Sequence, residues 1–111
     1  MKFRNELIGR TNDTLILSVL NAGPAHGYEI VRRINELSDG IFEWQDETLY
    51  PAINKLQDQG LIHSTWIETA KGKMRCIYSL TKEGKFALAT EANEWSAYSN
   101  AVAAILEASY A

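Results

Sequence analysis

The chain is short of the residues that cross-link a fold or hold a metal. Its 111 residues include one cysteine, Cys76, and two histidines, His26 and His63. A lone thiol closes no internal disulfide and builds no zinc site by itself, so no metal and no cofactor are expected. No apolar run approaches the roughly 20 residues that span a bilayer, which argues against a membrane partner. The opening residues, Met1-Lys2-Phe3-Arg4-Asn5-Glu6, lack the apolar core of a secretory signal, and the expected location is cytoplasmic. Only two prolines occur, with no Pro/Ser-rich linker, repeat or low-complexity tract to divide the chain. No Ser/His/Asp set, phosphate-cradling glycine loop or paired-carboxylate motif is present either, so the chain does not read as an enzyme.

What is present is an ordinary globular composition, with 46% hydrophobic and 23% charged residues in a length that suits one domain. The net charge of −3 is unevenly spread. Residues 1–60 carry six bases and nine acids, and residues 91–111 carry three acids and no base. Between them, residues 61–90 hold Lys71, Lys73, Arg75, Lys82 and Lys85 against Glu68 and Glu83, a local +3. Fields are screened within about 8–10 Å, so this basic stretch counts more for nucleic-acid contact than the acidic total. From charge alone, a solvated turn rich in lysine reads the same way.

Hydrophobic spacing gives the elements in order. Asn12 or Asp13 caps a first helix carrying Leu15, Ile16, Val19 and Leu20, and Asn21-Ala22-Gly23-Pro24 ends it. A second helix is predicted over 25–37, with Tyr28, Val31, Ile34 and Leu37 inward, followed by a short extended piece at 41–44. A third helix starts within 46–48 and runs to Gln59, with Leu49, Ala52, Ile53 and Leu56 inward. Starting it at about Thr48 puts Pro51 in the first turn, where its missing amide costs least. Two alternating runs, 61–68 and 74–80, surround a glycine-containing loop and read as a hairpin. They place Cys76 on the buried face and His63 on the exposed one. Thr81 caps a long final helix, although Gly84 stands where a capping box would carry Glu or Gln. In that helix Leu88, Trp95 and Val102 lie seven apart, with Ala92, Tyr98, Ile105 and Leu106 filling the same stripe. Such a helix reaches roughly 40 Å, beyond a body of this size, so its far stripe calls for a second copy of the chain.

Three helices and then a hairpin is the order of a winged helix-turn-helix, giving an α+β fold. Residues 1–81 would form the DNA-binding domain and 82–111 a C-terminal dimerisation helix. In that arrangement the third helix enters a major groove and the hairpin lies along the flanking backbone, where the basic cluster falls.

Four segments, in this order, resemble the PadR family of bacterial transcriptional regulators: Pro24-Ala25-His26-Gly27-Tyr28-Glu29-Ile30, Glu47-Thr48-Leu49-Tyr50-Pro51-Ala52-Ile53-Asn54-Lys55-Leu56, Gly60-Leu61-Ile62 and Tyr78-Ser79-Leu80-Thr81-Lys82-Glu83-Gly84. The resemblance covers about residues 10–90. The single terminal helix is similar to the small subclass that dimerises through it. Multidrug-responsive members of that subclass carry a tryptophan facing its twin across a pore at the dimer centre, and Glu94-Trp95-Ser96 is similar to that segment. The resemblance implies a homodimeric DNA-binding regulator, a repressor, that reads a pseudo-palindromic double-stranded operator and is modulated by a hydrophobic or aromatic effector. The alternative is a winged-helix protein-interaction module with no operator.

The candidate residues follow. On the third helix Thr48, Pro51, Asn54, Lys55 and Asp58 face outward. Thr48 and Asn54 suit base edges or phosphates, and Lys55 suits phosphate or guanine. Tyr50 lies at the margin, between packing on the second helix and a DNA contact; the family match favours DNA. His26 and Gly27 open the second helix, whose free amides suit a phosphate, while Tyr28 reads as core. Lys71, Lys73 and Arg75 would grip backbone or minor groove. Leu88, Trp95, Tyr98, Val102, Ile105 and Leu106 form the dimerisation set. Trp95 either packs that interface or stacks a ligand, with Ala92, Ser99, Leu15 and Leu7 around it.

Overall fold

The structure, a computed structural model, describes residues 11–110. In chain order it has α1 (Asn12–Asn21), β1 (Ala25–His26), α2 (Gly27–Leu37), α3 (Asp46–Asp58), β2 (Ile62–Glu68), β3 (Met74–Leu80) and α4 (Lys82–Tyr110). The expected winged helix-turn-helix is present, with one added element. Ala25 and His26 do not open α2; they form a two-residue strand paired antiparallel to β3, Ala25 opposite Tyr78 and His26 opposite Ile77. The sheet order is therefore β1-β3-β2. β2 and β3 pair antiparallel from Ile62 opposite Leu80 to Glu68 opposite Met74.

The core forms where the three short helices meet the base of the sheet. α1 supplies Ile16, Leu17, Val19 and Leu20, α2 supplies Ile30 and Ile34, and α3 supplies Leu49, Ile53 and Leu56; Ile62 and Tyr78 close it from the strands. Burial pushes the Tyr78 hydroxyl above its ordinary pKa, and the neighbouring Cys76 adds to the shift. Cys76 is half-buried rather than fully enclosed, and His63 is exposed, with its Nε2 3.1 Å from the Ser79 hydroxyl.

Several local expectations are corrected. α1 begins after Thr11, not at an Asn12 or Asp13 cap, and no side chain caps it. The inward face of α2 is Gly27, Ile30 and Ile34, whereas Tyr28 and Leu37 are 72% and 73% exposed. Residues 41–44 are loop rather than strand, yet Trp44 is buried there. Asn35 holds it from α2, donating Nδ2 to the Trp44 carbonyl at 3.1 Å and accepting the Trp44 amide at 2.8 Å. This reciprocal pair fixes the turn between α2 and α3. α3 starts at Asp46 after Gln45, so Pro51 is its sixth residue and lies past the first turn. Its missing amide leaves the Glu47 carbonyl without its helical partner, but both residues are exposed, so water can take that bond.

The junction between hairpin and α4 explains Gly84. The Thr81 hydroxyl donates to the Gly60 carbonyl at 2.7 Å and accepts the Gly84 amide at 3.0 Å, capping α4 while tying it to the end of α3. A Cβ on Gly84 would collide with the Leu61 carbonyl oxygen. Close approach, rather than a capping-box contact, accounts for the glycine. α4 still packs on the body through Ala87, Leu88 and Glu91, and the described chain measures 60 × 29 × 21 Å. Among the described residues no helix is long and apolar enough to cross a membrane, and no group of three or more His, Cys, Asp or Glu could hold a metal ion.

Candidate nucleic-acid interface

The site begins with α3. Because Leu49, Ile53 and Leu56 anchor one face in the core, the other face is turned to solvent: Tyr50, Pro51, Asn54, Lys55 and Asp58 are exposed and Thr48 is half-buried. This face carries hydrogen-bonding groups and one cation, the side-chain types that reach base edges and phosphates. Lys55 Nζ is 2.8 Å from Asp13 Oδ2 on α1. That hydrogen bond, and the charge of Asp13 behind it, raise the Lys55 pKa.

Two contacts connect α3 to its surroundings on the candidate surface. Gln57 Nε2 donates to Ser64 Oγ at 2.8 Å, linking the C-terminal half of α3 to β2. The Tyr50 hydroxyl lies against Gly27, where a Cβ would come within 2.8 Å of it. Tyr50 therefore packs over the start of α2 and stays 43% exposed, so packing and solvent access coexist in one side chain. At that same helix start His26 is the N-cap, its Nδ1 accepting the Glu29 amide at 3.3 Å. The His26 ring stacks on Tyr28 with centroids 6.2 Å apart. Sequence reading assigned Tyr28 to the core and so missed an exposed aromatic beside two candidate residues.

The wing carries the basic cluster as expected. Lys71, Lys73 and Arg75 are exposed. The loop is closed by the Thr69 amide on the Lys73 carbonyl at 2.7 Å, the Gly72 amide on the Thr69 carbonyl at 2.9 Å and the Lys73 amide on Thr69 Oγ1 at 3.2 Å. Gly72 has φ +78°, a left-handed conformation that glycine adopts without strain. The cations thus project from an ordered turn. Because β1 pairs with β3, the wing base and the start of α2 share one sheet.

α4 holds the remaining candidates. Leu88 packs against this chain's own core. Trp95, Tyr98, Val102, Ile105 and Leu106 are between 37% and 71% exposed. Trp95 and Tyr98 lie together, centroids 6.4 Å apart and tilted by 32°. Ala92 is exposed and Ser99 half-buried, while Leu15 is half-buried at the edge of the core. Leu7 lies outside the described residues. Of the acids near this stripe, Glu91 is half-buried and accepts the Thr14 hydroxyl at 2.8 Å; Glu94 is exposed.

The arrangement has close counterparts. A transcriptional regulator from Clostridium thermocellum matches with a TM-score of 0.81 at 30% identity, over 91% of this chain and 95% of that one. A PadR family transcription regulator from Clostridium difficile matches with a TM-score of 0.77 at 31% identity, over 86% and 98% of the two chains. Bacillus subtilis PadR, solved in complex with operator DNA, matches with a TM-score of 0.66 at 27% identity, over 73% of this chain and 46% of that protein. The family model described as "Transcriptional regulator PadR-like family" matches residues 16–90, the span from α1 into α4 that contains α3 and the wing. The chain belongs to the PadR-like family, whose members are transcriptional regulators and not enzymes.

Proposed function

We propose that the protein is a homodimeric, sequence-specific DNA-binding repressor whose two α3 helices read successive half-sites of a pseudo-palindromic operator. The observation that carries this reading is the pairing of a solvent-facing polar α3 surface with an ordered wing bearing Lys71, Lys73 and Arg75. In this reading α3 contacts the duplex through Thr48, Tyr50, Pro51, Asn54 and Lys55. The α2 start at His26 and Gly27 takes a phosphate, and the wing cations hold the flanking backbone.

The dimer rests on α4. Its 29 residues extend about 43 Å, and Gly84 is its one buried residue among those described. The apolar stripe from Trp95 to Leu106 leaves water when a twin packs along it. Trp95 sits on the stripe, and paired copies of it suit a flat hydrophobic effector that changes the spacing of the two α3 helices. Selection of duplexes from a random-sequence pool, followed by gel shifts across a salt series, tests the function. A sequence-selective complex that weakens steeply with salt is expected. Binding without sequence preference, or none, would refute it and favour a protein-interaction module.

A further inference from the structure

We propose that Asp13 is an intramolecular competitor for Lys55, occupying the ammonium that a DNA phosphate would otherwise take and thereby setting how tightly α3 holds a duplex. The inference rests on the DNA-binding reading above and adds a residue outside α3 and the wing to the determinants of affinity.

Lys55 is unlike the other cations of the surface. Among the described residues Lys71, Lys73 and Arg75 form no ion pair, whereas Lys55 Nζ meets Asp13 Oδ2 at 2.8 Å. The two partners are unequally accessible: the Lys55 side chain is 59% exposed and that of Asp13 23%. A second anion can therefore compete for the ammonium, the more accessible partner of the pair. Asp13 is held there because α1 buries Ile16, Leu17, Val19 and Leu20 in the core. The next residue, Thr14, donates to Glu91 Oε2 at 2.8 Å, which fastens the start of α1 to α4. With the α1 backbone anchored, the longer and more exposed Lys55 side chain is the one that leaves. When it turns to a phosphate, one ion pair is exchanged for another, and the gain from that contact falls by what Asp13 held.

The test is a double-mutant cycle on a duplex that the wild-type protein has selected from a random-sequence pool. Asp13→Asn should bind about two- to fivefold more tightly, the range a partly exposed ion pair commands. In a Lys55→Ala background the same substitution should change nothing, because the freed group is gone. Equal tightening in both backgrounds would mean general removal of negative charge and would overturn the proposal, as would an Asp13→Asn protein that binds no better than wild type. Asp13→Ser, which also removes the charge, repeats the cycle if the asparagine variant is poorly folded. A wild type that selects no duplex overturns the DNA-binding reading and this inference with it; a wild type that binds while the cycle shows no coupling overturns this inference alone.

Discussion

Ile105→Ala isolates the stripe on α4 from the helix that carries it, because alanine is the strongest helix former and removes only apolar surface. Ile105 is 71% exposed, so in a single chain its side chain touches little. If a twin covers it, truncation forfeits about three buried methylene equivalents at about 0.8 kcal/mol each. Scaled by that exposure, the loss is about 1.7 kcal/mol per chain. A twofold interface counts it twice, giving about 3.4 kcal/mol, or a dimer dissociation constant roughly 300-fold weaker. Sedimentation across a concentration series measures that constant directly. Glu107→Ala, away from the stripe on the same helix, is the control and should leave it within about twofold, the range of ordinary surface substitutions. An Ile105→Ala protein that associates as tightly as wild type, or a wild type that stays single at micromolar concentration, refutes the proposed dimer.

Three further outcomes are expected. Gly84→Ala should lower stability despite its better helix propensity: the collision with the Leu61 carbonyl costs about 1–3 kcal/mol against a gain of about 1 kcal/mol. The midpoint of the net loss, about 1 kcal/mol, corresponds to a drop of about 4–8 °C in thermal melting. Replacing Lys71, Lys73 and Arg75 together with alanine should reduce the slope of log affinity against log salt by up to about 2.7 while sparing sequence preference, as read by salt titration of the selected duplex. Trp95→Ala should abolish quenching of tryptophan fluorescence by a planar aromatic dye and leave operator affinity unchanged; quenching that persists would assign it to Trp66, which is also exposed.

The periodic parts of the fold were legible in the sequence. α1 and α3 bury side chains at helical spacing, the hairpin alternates around its glycine loop and α4 is one long periodic run, and the solvent face of α3 followed from its inward one. α2 shows why spacing alone can mislead. Residues three apart drift by about 60° per step around a helix. Tyr28, Val31, Ile34 and Leu37 therefore walk across it, and only the middle of the series meets the core. β1 left no local signal, since two residues become a strand only because β3 lies beside them. The Lys55–Asp13 pair joins residues 42 apart and is visible only once α1 and α3 are packed. Trp44 was missed because an irregular segment has no period, although Asn35 holds it firmly in the core.

The brief pairing of Ala25 and His26 with β3 has a mechanical consequence. It pins the hairpin at its root to the beginning of the second helix, while Gln57 and Thr81 bolt the third helix to the strand and to the tail. With those joints shut there is little slack inside the head. Thr81 and the Thr14–Glu91 bond join the root of the tail to the head as well, so in the proposed dimer the placement of the two α3 faces would follow from how the two copies meet along their tails and not from bending within either.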